Sequence, residues 1–245
     1  MSAGPSESVS HDALLPLLMV LTVTTGMIDA ISFVGLGHVF TANMTGNVVF
    51  IGFALGGADG VSVARSLVAL VSFGGGALIG GRVVNRAARP PLHQLAMATG
   101  GEAILLSIAV AMAFGATTSP RPATVYALIV LTAVAMGLRN AVVRKLGVAD
   151  VTTTVLTMTI TGIAADSSLA GGDHRRHGRR ALSLLAMVAG AWIGTLLLRQ
   201  WGYACPLAAA ALVAAAVTAH AATRWTTTAT APDIHRNAPG EVPGA

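Results

Sequence analysis

The sequence predicts an all-α, polytopic transmembrane helix bundle with six crossings, two re-entrant or broken polar segments and an inverted repeat. Its 245 residues are 54% hydrophobic and 10% charged, with a mean hydropathy of +0.72. Soluble domains carry about 25% charged residues, so these values exclude an ordinary cytosolic domain. The apolar residues fall into regularly spaced segments, and most basic residues lie between those segments. The individual elements follow from these patterns.

Eight apolar segments follow a polar N-terminus, residues 1–12, which we expect to be disordered. A membrane span needs about 20 residues, and the segments cover 14–35, 39–58, 63–84, 93–115, 122–143, 152–170, 181–198 and 203–222. No Lys or Arg precedes Arg65, so a cleavable signal peptide with a basic n-region is not expected and the first segment is retained. The tail, residues 226–245, is rich in Thr, Pro and Ala and is expected to be disordered.

The second and sixth segments differ from ordinary spans because they carry polar residues. The stretch VFTANMTGNVVFIG (39–52) has small or polar residues at its centre, and segment 152–170 contains six threonines, two serines and Asp166. Irregular polar backbone is tolerated at membrane depth only where protein buries it or where it lines a wet cavity. We therefore expect both segments to be re-entrant or broken helices that line a cavity.

The chain also repeats itself. Three pairs of short strings match: GMIDA (26–30) with GLRNA (137–141), TANMT (41–45) with TTVLT (153–157), and GALIG (76–80) with GAWIG (190–194). The last pair has the small-xxx-small pattern of close helix packing in membranes. Two membrane repeats are predicted, the first over 13–115 and the second over 122–222.

The loop charges favour six crossings. If the two polar segments each enter and leave on one side, twelve basic residues collect on one face and three on the other. The twelve are Arg82, Arg86, Arg89, Arg139, Arg144, Lys145, Arg175, Arg176, Arg179, Arg180, Arg224 and Arg236; the three are Arg65, Arg121 and Arg199. Eight crossings would split the two richest basic loops, against the positive-inside tendency. Both termini are then cytoplasmic, and three crossings in each half make the repeats inverted, an arrangement that places sites near the midplane.

The strings GMIDAISFVGLGHVFTANMTGN and GLRNAVVRKLGVADVTTTVLTMTITGIAAD give the chain a family resemblance. Over roughly residues 14–222 it resembles the YoaK-type family of small integral membrane proteins of bacteria. The resemblance implies a polytopic inner-membrane protein. It implies no substrate, mechanism or site residues, because the family is a domain of unknown function.

Two acids inside predicted spans are candidate proton- or cation-binding groups, because ionisable residues in a bilayer are costly and usually functional. Asp29 lies about 22 Å into the first span at 1.5 Å per residue, and Glu102 lies close to the middle of the fourth. Either carboxylate could instead be a hydrogen-bonded strut that fixes helix register. The sequence places Arg139 near the cytoplasmic face, and the expected ion-pair partners are Arg65 for Asp29 and Asp150 or Asp166 for Arg139.

Uncharged polar side chains of the two polar segments complete the candidate site. Their hydroxyls and amides could coordinate a dehydrated ion or a small polar solute. They could equally hydrogen-bond between helices, at about 0.6 kcal/mol each on average. The predicted substrate-binding set is Asp29, Asn43, Thr45, Asn47, Glu102, Asn140, Thr153 and Thr157.

The predicted function is a channel or secondary transporter for a small polar solute or ion in the bacterial inner membrane. A non-transporting membrane scaffold or sensor is the alternative. The sequence has no GxxxxGK[ST], GxSxG or HExxH motif, so we expect no enzyme, and any active transport would use a gradient. The single cysteine, Cys205, excludes an internal disulfide and a CxxC site. No cofactor, metal or nucleic acid is expected. The expected partners are the lipid bilayer and the solute, and the glycine motifs also allow a homo-oligomer.

Overall fold

The computed structural model describes residues 5–85, 90–114, 121–147, 156–165 and 177–229, and within these ranges the chain forms only helices and turns. The predicted all-α class is therefore confirmed. The described helices are α1 (Pro5–Ala30, continued by a π-helical turn, Ile31–Gly35), α2 (Met44–Leu55), α3 (Val63–Asn85), α4 (Pro91–Phe114), α5 (Pro122–Leu146), α6 (Leu156–Ala165), α7 (His177–Trp201) and α8 (Ala204–Ala229).

Six of these helices are long and apolar enough to cross a membrane, as predicted. The candidate spans are Leu14–Gly35, Val63–Asn85, Pro91–Phe114, Pro122–Leu146, Gly178–Trp201 and Ala204–Arg224. The other two, α2 with 12 residues and α6 with 10, measure about 18 and 15 Å at 1.5 Å per residue. Helix α2 does not reach across a hydrocarbon core of about 30 Å, so the second segment is interrupted, as the sequence predicted, whereas the residues on either side of α6 lie outside the described part of the chain.

Two boundaries differ from the sequence prediction. Helix α1 begins at Pro5, so residues 5–12, expected to be disordered, extend the first span by two turns beyond its apolar part. At the other end, α8 continues to Ala229, and the first residues of the predicted tail are helical. Residues 230–245 lie outside the described part of the chain. Polar residues extend a helix readily when its nucleus is a stable span, because propagation adds one hydrogen bond per residue.

Glycines allow α1 and α7 to approach backbone to backbone. A Cβ atom on Gly190 of α7 would lie 2.0 Å from the carbonyl oxygen of Val23, and one on Gly26 of α1 would lie 2.3 Å from that of Met187. Real Cβ contacts are not found below 3.0 Å, so only glycine fits at these two positions. The close approach is the van der Waals packing that drives helix association in lipid.

Helices α3 and α5 meet in the same way. A Cβ on Gly137 of α5 would lie 2.1 Å from the carbonyl oxygen of Phe73, and one on Gly76 of α3 would lie 2.2 Å from that of Val134. The first helix of each half thus packs against the third helix of the other half, while α4 packs along α8. The Thr99 and Thr218 hydroxyls, 2.8 Å apart, join α4 to α8.

Candidate functional site

The first span ends in a π-helical turn, and the chain then reverses direction. Gly37 (φ +92°) and His38 (φ +56°) both adopt the left-handed backbone region, where glycine pays no steric penalty. The His38 Nδ1 lies 2.8 Å from the carbonyl oxygen of Gly60, which anchors this turn to the loop after α2. The Tyr203 hydroxyl donates to the carbonyl oxygen of Gly35 at 2.7 Å. Burial raises the pKa of Tyr203, so the phenol remains a donor at neutral pH.

Asp29, one residue before the end of α1, binds the polar stretch that follows the turn. Its Oδ1 accepts backbone N–H bonds from Thr41 at 3.1 Å and Ala42 at 2.9 Å, and its Oδ2 accepts a bond from Nδ2 of Asn43. The carboxylate is buried. Residues 41–43 are therefore folded back onto the end of the first span, and both carboxylate oxygens have donors from this chain.

Asn47, in the second turn of α2, holds the same loop from its other side. Its Oδ1 accepts the N–H of Phe40 at 2.9 Å, and its Nδ2 donates to the carbonyl oxygen of Phe40 at 2.6 Å. The Phe40 ring stacks on both Phe33 and Phe50, which also lie next to each other. Asn47 is fully buried, whereas Thr45 is exposed. The amide of Asn47 thus satisfies backbone groups that would otherwise be unpaired at the broken helix.

A second polar cluster lies deeper in the bundle and contains an ion pair. Arg139 of α5 donates from Nη1 to Oε1 of Glu102 on α4 at 2.8 Å, and both side chains are almost fully buried. The same guanidinium donates to the hydroxyl of Thr24 at 3.1 Å and to that of Thr25, both on α1. Oε2 of Glu102 is buried and has no hydrogen-bond donor from the described residues. Three helices from both halves therefore converge on one buried charge pair.

A small cavity adjoins this cluster between α1 and α5. Its volume is about 10 Å³, which is room for about one water molecule. Its polar lining consists of Thr22, Thr25, Arg139 and Asn140, and three apolar side chains, Leu18, Leu21 and Val143, complete the wall. The described part of the lining thus contains one cation and no carboxylate.

The predicted site residues fall into two separate groups. Asp29, Asn43 and Asn47 meet at the end of the first span, whereas Glu102 and Asn140 belong to the Arg139 cluster. Thr45 lies on the exposed side of α2. Thr153 and the side chain of Thr157 lie outside the described residues. Within the parts of the chain that the structure covers, no three His, Cys, Asp or Glu side chains form a metal-binding group.

The expected Arg65 partner of Asp29 was wrong, and Arg139 has a partner that the sequence did not predict. Arg139 pairs with Glu102 inside the bundle, because its long side chain reaches from the last third of α5 towards the middle of α4; Asp150 and Asp166 lie outside the described residues. Arg65 does not pair with Asp29, since the structure's one ion pair among the described residues is that of Arg139. The Arg65 guanidinium instead lies against Gly37, where a Cβ atom would be 1.9 Å from Nη1.

Sequence reasoning missed the threonines of the first span. Thr22, Thr25 and Asp29 recur at the i, i+3 and i+7 spacing of one helix face, and this face is the one turned towards Arg139 and the loop. That periodicity was visible in the string TVTTGMIDA. A polar stripe along an otherwise apolar span could have identified Thr22 and Thr25 as part of the interior.

The comparisons with known proteins agree with this architecture. A family model described as "Protein of unknown function (DUF1275)" matches residues 17–219. The chain is 38% identical over 155 residues to the "UPF0700 transmembrane protein YoaK" of Bacillus subtilis (strain 168), a match that covers 62% of this chain. It covers 66% of that relative, just under two thirds of its length. No solved structure matches the chain. The chain is therefore a multi-pass transmembrane protein that is similar to a YoaK protein and belongs to the DUF1275 family.

Proposed function

We propose that this protein is a channel or secondary transporter of the bacterial inner membrane that moves a small polar solute or ion through the bundle interior. The observation that carries the proposal is the buried Arg139–Glu102 pair beside a polar cavity. Charged side chains inside a bilayer are costly, and they mark solute or ion pathways more often than structural positions. The cavity between α1 and α5 supports such a pathway at this position.

The position of this cluster between the two halves supports the proposal. Thr25 and Glu102 come from the first half of the chain and Arg139 from the second. The reciprocal glycine contacts of α1 with α7 and of α5 with α3 are those expected of two related halves. With three crossings in each half, the repeats are inverted, and transporters with inverted repeats hold their solute at the repeat interface. On this proposal both termini and the basic loops are cytoplasmic.

One observation favours the second candidate function, a scaffold or sensor that transports nothing. Asp29 and Asn47 bind the loop between α1 and α2 through its own backbone. A polar segment whose groups are used internally in this way stabilises a broken helix and needs no solute. The scaffold alternative accounts for residues 39–47 but leaves the Arg139–Glu102 pair and its cavity without a role. No enzymatic activity is proposed for either function.

A thermal-shift screen in detergent tests the proposal. The purified protein is heated with amino acids, organic acids, polyols and simple salts, since a ligand that binds the native state raises the melting temperature. We expect at least one solute to raise it, and we expect the double variant Glu102→Leu/Arg139→Met to lose the response. The control is Ile104→Ala, on the exposed side of α4. A screen without any solute-dependent shift, with no flux in reconstituted vesicles, would favour the scaffold.

A further inference from the structure

We propose that Arg139 binds a small monovalent anion, of halide size, in the cavity between α1 and α5, and that Glu102 takes up one proton as the anion binds. This inference rests on the proposed transport function and adds to it a substrate class and a coupling ion. It depends on the charges that line the cavity, on the bonding of Glu102 and on the basic groups near the cavity's end of the bundle.

The cavity lining favours an anion over a cation. Among the residues that the structure describes, its polar side chains are the Arg139 guanidinium, the Asn140 amide and the Thr22 and Thr25 hydroxyls, with no carboxylate. The two hydroxyls donate to the carbonyl oxygens of the preceding turn, at 2.9 Å in both cases. The positive charge in the lining comes from Arg139. A dehydrated cation in the cavity would lie beside this charge and be repelled by it. The volume, about 10 Å³, suits one ion of about the size of water.

Among the residues that the structure describes, Arg139 is the one that stabilises the negative charge of Glu102. Its Oε1 accepts one bond from Arg139, and its Oε2 has no donor among the residues that the structure describes. A buried carboxylate without a counter-ion carries a large desolvation cost and becomes neutral instead. Any anion that draws the guanidinium away from Glu102 therefore leaves that carboxylate to be protonated.

The exchange conserves charge. In the empty state, the Arg139 cation and the Glu102 anion sum to zero. In the occupied state, the Arg139 cation faces the bound anion, and Glu102 carries a proton taken from water at the open side of the cavity. No covalent bond other than that O–H bond changes. One anion and one proton thus enter together, and the site never holds a net charge in the bilayer.

Other charged groups do not replace Glu102 in this exchange. The ionisable side chains described on the helices that pack against α4 and α5, and on those helices themselves, are Asp29, Arg65, Arg82, His93, Tyr126, Arg144, Lys145, Cys205, His220 and Arg224. Of these only Asp29 is buried, and its two oxygens are occupied by residues 41–43. The proton that accompanies the anion is therefore assigned to Glu102.

Basic residues lie at the end of the bundle that is nearer to the cavity. Leu18 and Val143 in its wall are about one turn from the span ends Leu14 and Leu146. Arg144 and Lys145, in the last turn of α5, are exposed at this end. Positive groups at a cleft raise the local concentration of anions and their rate of entry.

The test uses the full-length protein in phosphatidylcholine vesicles with a pH-sensitive dye inside. An inward chloride gradient is applied against gluconate, with equal potassium and valinomycin on both sides to hold the voltage at zero. We expect the lumen to acidify with the wild type. In detergent, the dissociation constant for chloride should rise about tenfold per pH unit above the range in which Glu102 titrates, because one proton binds with each anion.

Three variants separate the parts of the proposal. Glu102→Gln mimics the protonated acid, so chloride should bind at least tenfold more tightly, without pH dependence, and move without acidification. Thr22→Leu fills the cavity but leaves the ion pair intact, and should lower both chloride binding and acidification at least tenfold. Asp59→Asn, an acid-to-amide control in the exposed loop after α2, should behave as wild type. If Glu102→Gln does not fold, the proposal is tested by Thr22→Leu and by the pH dependence of the wild-type dissociation constant for chloride.

The outcomes distinguish this inference from the transport function on which it rests. Transport or binding of neutral or cationic solutes without an effect of chloride overturns the anion site and leaves transport standing. Chloride binding with no pH slope in the wild type overturns the proton coupling. The absence of any solute-dependent shift or flux overturns both. Acidification that is lost in Glu102→Gln and in Thr22→Leu supports the inference.

Discussion

Oε1 of Glu102 and Nη1 of Arg139 lie 2.8 Å apart inside the bundle, where both side chains are almost completely removed from the surface. The pair joins α4 to α5, the helices on either side of the connection between the two predicted repeats. Removing one member of such a pair leaves an isolated buried charge, whereas removing both leaves only packing to repair. The stability of the fold and the proposed transport therefore both depend on Glu102 and Arg139. Replacing both residues should preserve most of the stability but abolish the solute response.

A double-mutant cycle measures this coupling. We expect Arg139→Met alone to lower the free energy of unfolding by about 3–5 kcal/mol, because Glu102 loses its counter-ion. The double variant Glu102→Leu/Arg139→Met should recover most of that loss. The measurement is reversible unfolding in mixed micelles, with Ile104→Ala on the exposed face of α4 as control. Additive effects of the two single substitutions would show that the pair is not coupled.

Asp29 is expected to act on the loop through its two oxygens. Asp29→Ala removes the acceptor for the Thr41 and Ala42 amides, and a buried unpaired donor costs about 1–3 kcal/mol. Asp29→Asn should cost much less, because Asn43 can rotate its amide and present its oxygen to the new NH₂ group. Hydrogen exchange at residues 41 and 42 is the measurement, and it should accelerate only in the alanine variant.

The same Asp29→Asn protein also tests the site prediction made from the sequence. If Asp29 binds a proton or cation during transport, a folded Asp29→Asn protein loses the pH or cation dependence of flux in vesicles. If Asp29 only holds the loop, flux and its pH profile stay as in the wild type. The second result would remove Asp29 from the predicted substrate-binding set and keep it as a structural residue.

Sequence reasoning reached the fold because the bilayer imposes strong constraints on it. Apolar segments of about 20 residues can only be helices, and the string TANMTGN interrupts one of them visibly. The spans and the broken second segment were therefore predictable from hydropathy alone. The helical state of residues 5–12 was not, because polarity says nothing about whether a stable span extends past its apolar part.

The details of the site were less accessible to sequence reasoning. Asp29 was singled out correctly as an intramembrane acid beside the polar stretch, but its partners are backbone amides, which have no sequence signature. Arg139 was placed near the cytoplasmic face by counting residues along α5, and that count ignored the reach of an arginine side chain. The depth of Glu102 was correct, yet helix order alone does not say that α4 and α5 turn these two residues towards each other.

The glycines at helix contacts give a further prediction, which has a matched control. Gly137→Ala would place a methyl group 2.1 Å from the carbonyl oxygen of Phe73, so α3 and α5 must separate. We expect a loss of about 1–3 kcal/mol in unfolding free energy, as for other overpacked interiors. Gly81→Ala, in α3, meets nothing within 4 Å and should be neutral or slightly stabilising. Equal stability of the two variants would argue against the close α3–α5 contact.

The last prediction concerns the topology on which the inverted repeat depends. Six crossings place the basic loops after α3 and before α7, probed at residues 87 and 178, on the cytoplasmic side and the loop with Asp59 on the other. With Cys205 replaced by Ala, single cysteines are introduced at Ala87, Gly178 and Asp59. A membrane-impermeant thiol reagent should label only the cysteine at position 59 in intact cells, and all three after lysis.

The pair at positions 87 and 178 decides between the two topologies. If α2 and α6 each enter and leave on one side, an even number of crossings separates the two loops, and both stay protected in intact cells. If the segments containing α2 and α6 both crossed fully, the loop before α7 would lie opposite the loop after α3, and one of the two would be labelled from outside. That result would replace six crossings by eight and make the halves parallel. An inverted repeat would then no longer account for a solute site between α1 and α5.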